Sequence, residues 1–174
     1  VRVAFGTGGT VKFEHPKVAA NQVTSLVSEI GAGLAAYGQF NKPPTEVSPQ
    51  PCDHVDASYP VSAPVTEDDN LDEVSWRVDY SPYAMMYIGY LDVPSVADLA
   101  PAISGLRDRL AAAGWRSHKA SIIPAVGGDY ARLVVEAPSA GYVATISAIT
   151  TSAGRPRLAV FVASPCLRHP GEST

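Results

Sequence analysis

No apolar run in this sequence approaches the ~20 residues that a membrane-spanning helix needs, so no such helix lies within the chain. Basic charge is thin as well. Thirteen Lys and Arg against seventeen Asp and Glu give a formal charge of −4, and the arginines are scattered, which excludes a nucleic-acid surface. Histidine is scarce: His15, His54, His118 and His169 fall in turns, coils or a strand, with no partner spacing. G-x-S-x-G is absent too, so no nucleophile and base can be named and no catalytic residue is assigned. Gly6, Gly8 and Gly9 do not make a dinucleotide fingerprint, because Val11 stands where the third glycine belongs and the following residues lead to Pro16, not straight into a helix. No cofactor is expected.

Cysteine is limited to Cys52 and Cys166, each beside proline and near the edge of the expected core. An even pair in a short proline-rich chain fits export into an oxidising compartment, whereas cytosolic thiols come more often singly or in metal and redox motifs. Two unrelated free thiols are the alternative. A third reading joins Cys52-x-His54 to Cys166-x-x-His169 as a zinc set. C-x-H is tighter than the usual knuckle spacing, however, and neither cluster sits on an expected helix or hairpin. A disulfide between Cys52 and Cys166 is therefore the expectation, and no metal site is assigned. Residue 1 is Val, so any signal or anchor segment would lie upstream of the chain, and the membrane would be reached only through such an anchor.

With 46% hydrophobic and 17% charged residues, the chain has the composition of a folded domain, not of a disordered one. Its clearest signal runs from Ser95 to Ser164. Leu99, Ile103, Leu106, Leu110 and Ala113 form one stripe of a helix that ends where Gly114 can take a left-handed cap, and Ser95 with Asp98 reads as its capping box. Pro101 either kinks the first turns or marks a later start. Four strands follow, at Trp115 to Ile122, Tyr130 to Ala137, Tyr142 to Thr151 and Arg157 to Ser164. Their short connections demand antiparallel neighbours.

Upstream, the arm from Val1 to Glu14 is followed by a first helix from Pro16, with Val23, Leu26, Ile30, Leu34 and Tyr37 at helical spacing up to Gly38. Gly31 and Gly33 each cost it about 1 kcal/mol of helix propensity. Residues 41–64 hold six prolines and read as extended surface coil carrying Cys52. The acidic cluster Glu67, Asp68, Asp69, Asn70, Asp72 and Glu73 lacks calcium-loop spacing and reads as a solvated loop. Val74, Trp76, Val78 and Tyr80 alternate with polar residues as a half-buried strand.

The next strand, Ala84 to Val93, does not alternate. Either both its faces are covered or one is a contact surface. Tyr80 to Tyr90 is rich in Tyr and Met, a composition that suits an adaptable binding surface, and Tyr83, Met86, Tyr87 and Tyr90 are the candidate binding residues. If the central helix covers one side, Met85, Tyr87 and Leu91 point inward, while Met86, Ile88 and Tyr90 face whatever lies opposite.

The expected fold is α+β: an antiparallel sheet of about five to six strands, a central helix packed on one face, and an extra N-terminal helix. Residues 1–64 make the arm, helix and Pro-rich coil, and 65–174 the α+β core. A proline coil carrying Cys52, a helix end L-x-x-x-G-W at Leu110, Gly114 and Trp115, and Ser164-Pro165-Cys166 after the last strand resemble uncharacterised exported or membrane-anchored domains of high-GC Gram-positive bacteria. The resemblance covers Cys52 to Cys166, implies a location outside the cytoplasmic membrane, and brings no catalytic residue. The expected function is that of a non-enzymatic cell-envelope domain that binds a protein partner or serves as an accessory subunit of an envelope complex. The alternatives are an extracytoplasmic hydrolase-like enzyme, with a pocket lined by His118 and a carboxylate, and a lipid or small-ligand carrier with a cavity between the N-terminal helix and the sheet.

Overall fold

The computed structural model describes residues 12–52, 82–125 and 128–168, with the backbone alone within 118–131. The expected strand Val74 to Tyr80, the acidic cluster from Glu67 to Glu73, and the two histidines of the zinc reading, His54 and His169, lie outside the described residues. The elements are β1 (Lys12–Phe13), α1 (Pro16–Leu34), β2 (Ser48–Pro51), β3 (Tyr83–Asp92), a short 3-10 turn (Val96–Asp98), α2 (Leu99–Ala112), β4 (Arg116–Ala125), β5 (Gly128–Glu136), β6 (Val143–Thr150), β7 (Pro156–Ala163) and β8 (Leu167–Arg168).

Both helices form where the apolar spacing places them, and their ends follow local chemistry. His15 caps α1, its ring nitrogen accepting from the Lys17 N–H at 3.1 Å, and Pro16 occupies the first turn, where its missing N–H costs nothing. The helix stops at Leu34, so Tyr37 lies in the turn beyond it. At α2, Ser95 N–H and Oγ both donate to the Asp98 carboxylate, and the 3-10 turn delivers the chain to Leu99 with Pro101 in the first helical turn. Gly114 takes φ 92° and Trp115 N–H returns to Leu110 O at 2.9 Å, which closes the last turn.

Among the described residues the sheet has eight strands and is mixed, in the order β1-β8-β3-β7-β6-β5-β4, with β2 on β3 outside that path. This corrects the expected five to six antiparallel strands. The β4–β7 meander is antiparallel as expected; β3 is antiparallel to β7, but β1 runs parallel to β8, and β2 pairs with β3 from Ser48↔Met86 to Pro51↔Tyr83. The strands missed are two to four residues long. Such strands have no period of their own and exist only through a distant partner. Pro49 and Pro51 are tolerated in β2 because an edge strand need not donate along its whole length.

A second correction concerns the helix. No single helix is central: α1 lies over β3 and β7, and α2 over β4 to β7, so the two share one face of the sheet. Under them Tyr83, Met85, Tyr87, Leu91, Leu133, Val135, Ile146, Leu158, Val160 and Val162 form one continuous core with Val23, Ile30, Leu106 and Leu110 of the helices. Each such side chain contributes about 1.5 to 3 kcal/mol by leaving water. Gly33 permits the helices to meet closely, since a Cβ there would stand 2.8 Å from Leu106 Cδ1.

Candidate functional site

The strand singled out for binding divides by pleat. Tyr83 and Tyr87 point into the core and are almost fully buried, whereas Met86 is half-buried on the opposite face and Tyr90 is 36% exposed there. The two inward tyrosines use their hydroxyls structurally. Tyr83 donates to the Glu14 carbonyl and Tyr87 to the Lys42 carbonyl, so each ties a peripheral segment to β3. Burial, and then the nearby Glu14 carboxylate, raises the Tyr83 phenol above its ordinary range; burial followed by Glu46 raises Tyr87. Both are held as neutral donors.

The outward residues belong to a larger surface that local reading of one strand could not show. Register places Ile88, Phe161, Thr145 and Val134 in one row across β3, β7, β6 and β5. Met86, Ala163, Val143 and Glu136 form the row on one side of it, and Tyr90, Ala159, Ser147 and Arg132 the row on the other. Ile88 is 47% exposed, and among the described residues no helix packs on this face. Charged side chains mark its margins: Arg157 pairs with Asp92 at 2.7 Å and lies 5.5 Å from the Tyr90 ring, and Arg116 pairs with Glu136 at 3.2 Å. Arg132 differs, because its Nε is buried with no hydrogen-bond partner among the described residues. The signal that could have revealed Phe161 and Val134 is the alternation in β7 and β5, where every second residue is buried.

A concavity of about 520 Å³ lies between α1 and residues 38–44. Gly31, Ala35, Phe40 and Leu91 give it an apolar floor, and Gln39, Asn41 and Lys42 a polar rim, with neither histidine nor carboxylate in its lining. Asn41 is committed to the edge of β3: its N–H donates to Tyr90 O and its side-chain oxygen accepts from Tyr90 N–H, both at 2.8 Å. The Lys42 ammonium sits 5.0 Å from the Tyr87 ring centroid. The side chain of His118, around which a hydrolytic pocket was expected, lies outside the described residues.

Cys52 and Cys166 stand at disulfide distance, with Cα atoms 5.9 Å apart across a sequence separation of 114. The tertiary reason is the start of β3. Pro51 and Leu167 both pair with Tyr83, so the chain on either side of that residue brings the two cysteines together. Among the described residues no three His, Cys, Asp or Glu side chains gather as a metal-binding group.

No protein-family model matches the chain, and no curated protein or solved structure matches it either. What its surfaces can do is therefore argued from their own chemistry. The outer sheet face offers large apolar side chains at fixed register positions, which suits protein contact, while the concavity by α1 offers a small apolar floor with hydrogen-bond donors at its rim.

Proposed function

We infer that this is a non-enzymatic, exported cell-envelope domain that binds protein through the outer face of its sheet. The observation that carries the reading is the row Ile88, Phe161, Thr145 and Val134, apolar at three of its four positions and lying on the face that neither helix covers. A sheet with one solvated face ordinarily alternates apolar inward with polar outward. Here β3 and β7 keep apolar residues on both faces, at a cost in solubility that burial against a partner would offset. The disulfide-distance pair Cys52 and Cys166 supports an oxidising, extracytoplasmic setting.

The test separates contact from core. Ile88→Glu and Phe161→Glu should abolish capture of envelope proteins by the purified domain and leave its thermal midpoint nearly unchanged, whereas Met85→Ala on the inner face should destabilise by ~2 to 5 kcal/mol. Capture that survives both glutamates would overturn the reading.

A small-ligand carrier is the second reading, favoured by the 520 Å³ concavity beside α1. An apolar fluorescent dye that binds the domain and is excluded by Ala35→Trp would support it; binding unaffected by that substitution would not.

A further inference from the structure

We propose that the concavity beside α1 binds a small carboxylic acid with an apolar body of one or two rings. The inference rests on the carrier reading of that concavity and names its ligand. The wall that faces α1 is pinned to β3. Phe40 bridges to Leu91, the Asn41 N–H and side-chain oxygen bracket Tyr90, and the Tyr87 hydroxyl donates to Lys42 O at 2.9 Å. Pro43 then restricts Lys42 to extended backbone. Gly31 lets this wall approach the helix, since a Cβ there would stand 3.0 Å from Phe40 Cε2. The site is therefore formed before a ligand arrives, and little ordering opposes binding.

The charge it presents has one sign. Among the described residues Lys42 is the only ionisable side chain in the lining, and it forms no ion pair there; its ammonium lies 5.0 Å from the Tyr87 ring centroid, which attracts it without neutralising it. Of the acids near by, Asp92 is held by Arg157 at 2.7 Å, and Glu46, close enough to raise the Tyr87 phenol, is exposed and outside the lining. Asn41 adds a fixed donor. Its oxygen is committed to the Tyr90 N–H, which leaves the NH2 group without a partner among the described residues. A carboxylate has one charge and two acceptor oxygens, one for Lys42 and one for Asn41. A doubly charged phosphate would leave half its charge unanswered.

The floor sets the size. It runs along α1 from Ser28 to Ala35, about 10 Å of helix. One or two rings fit that length against Phe40, whereas a lipid acyl chain, ~15 Å in half a bilayer, would overrun it.

Fluorescence titration of the purified chain with naphthoate and with its neutral amide, at about 20 and about 500 mM NaCl, tests this. Naphthoate should bind about tenfold more tightly than naphthamide at low salt, and high salt should shrink the preference, because a charge pair at an open rim is screened. Lys42→Met and Asn41→Asp should each remove the preference by weakening naphthoate alone, with unchanged thermal midpoints, and Lys42→Arg should keep it. Equal affinities in the unaltered chain, a preference insensitive to salt, or one that survives both substitutions overturns the carboxylate. Ala35→Trp separates this failure from that of the carrier reading. If the two probes bind equally and Ala35→Trp excludes both, the concavity takes neutral ligands and only the ligand class falls. If neither probe binds, both readings fall.

Discussion

Trp115 Nε1 donates to Glu29 Oε1 at 3.1 Å, so the residue that follows the cap of α2 is tied to the middle of α1. The indole is 4% exposed and belongs to the core shared by helices and sheet. Trp115→Ala should cost ~3 to 5 kcal/mol. Trp115→Phe retains most of the packing and loses the hydrogen bond, for about 1 kcal/mol. Urea denaturation reads both, and an unchanged midpoint for the alanine variant would contradict the core assignment.

Gly33 reverses the ordinary expectation for a helical glycine. Propensity alone predicts that Gly33→Ala stabilises by up to ~1 kcal/mol. The new methyl would approach Leu106 Cδ1 at 2.8 Å, with Arg109 Cδ at 3.3 Å. Overpacking of a helix contact costs ~1 to 3 kcal/mol, so net destabilisation is expected. A higher melting temperature would show that Leu106 moves aside without cost.

The cysteine pair is expected to resist alkylation until reductant is added, and intact mass under denaturing conditions should fall by two hydrogens relative to the reduced chain. Replacing both cysteines by serine should destabilise by roughly 4 to 5 kcal/mol in the chain-entropy model, given the 114-residue separation. Full alkylation without reductant, on protein exported into an oxidising compartment, would remove the disulfide and with it the main support for an extracytoplasmic location. Metal release on denaturation would point instead to the zinc set with His54 and His169.

Two buried phenols set an alkaline limit. Burial, then Glu14, raises both Tyr83 and Tyr142 above the ordinary phenol value. A group whose folded pKa is raised contributes stability that is fully present below its unfolded pKa, ~10 for tyrosine, and that is lost as pH rises toward the folded value. Thermal midpoints should therefore be insensitive to these groups up to about pH 10 and fall above it, with phenolate absorbance rising as the chain unfolds. The two differ in one respect: Tyr83 donates to the Glu14 carbonyl, while the Tyr142 hydroxyl is buried without a hydrogen-bond partner among the described residues. Tyr83→Phe should lose about 1 kcal/mol, and Tyr142→Phe should be neutral or stabilising. Equal losses at the two positions would show that Tyr142 has a partner after all.

Where the hydrophobic period is carried by neighbours in sequence, the sequence by itself determined the outcome. α1, α2, the β4–β7 meander, the cap at Gly114 and the α+β class all follow from spacings of two to four residues and from glycine or proline at their ends, which act locally whatever the rest of the chain does. The pairing of Cys52 with Cys166 was legible because few partners exist for a cysteine; that both stand beside Tyr83 was not. Only the tertiary structure decided the rest. β1, β2 and β8 exist through distant partners, so no window of sequence holds their signal. The alternation of the β3 strand already set Tyr87 apart from Met86 and Tyr90; that the Tyr83 and Tyr87 hydroxyls reach the Glu14 and Lys42 carbonyls depends on peripheral segments brought there by the fold. The apolar row from Ile88 to Val134 joins four strands whose registers are set by strand pairing, and the exposure of Ile88 depends on both helices having taken the other side of the sheet. Local periodicity says that a strand has two faces, and only the competition among all the elements for buried area decides which face is left to solvent.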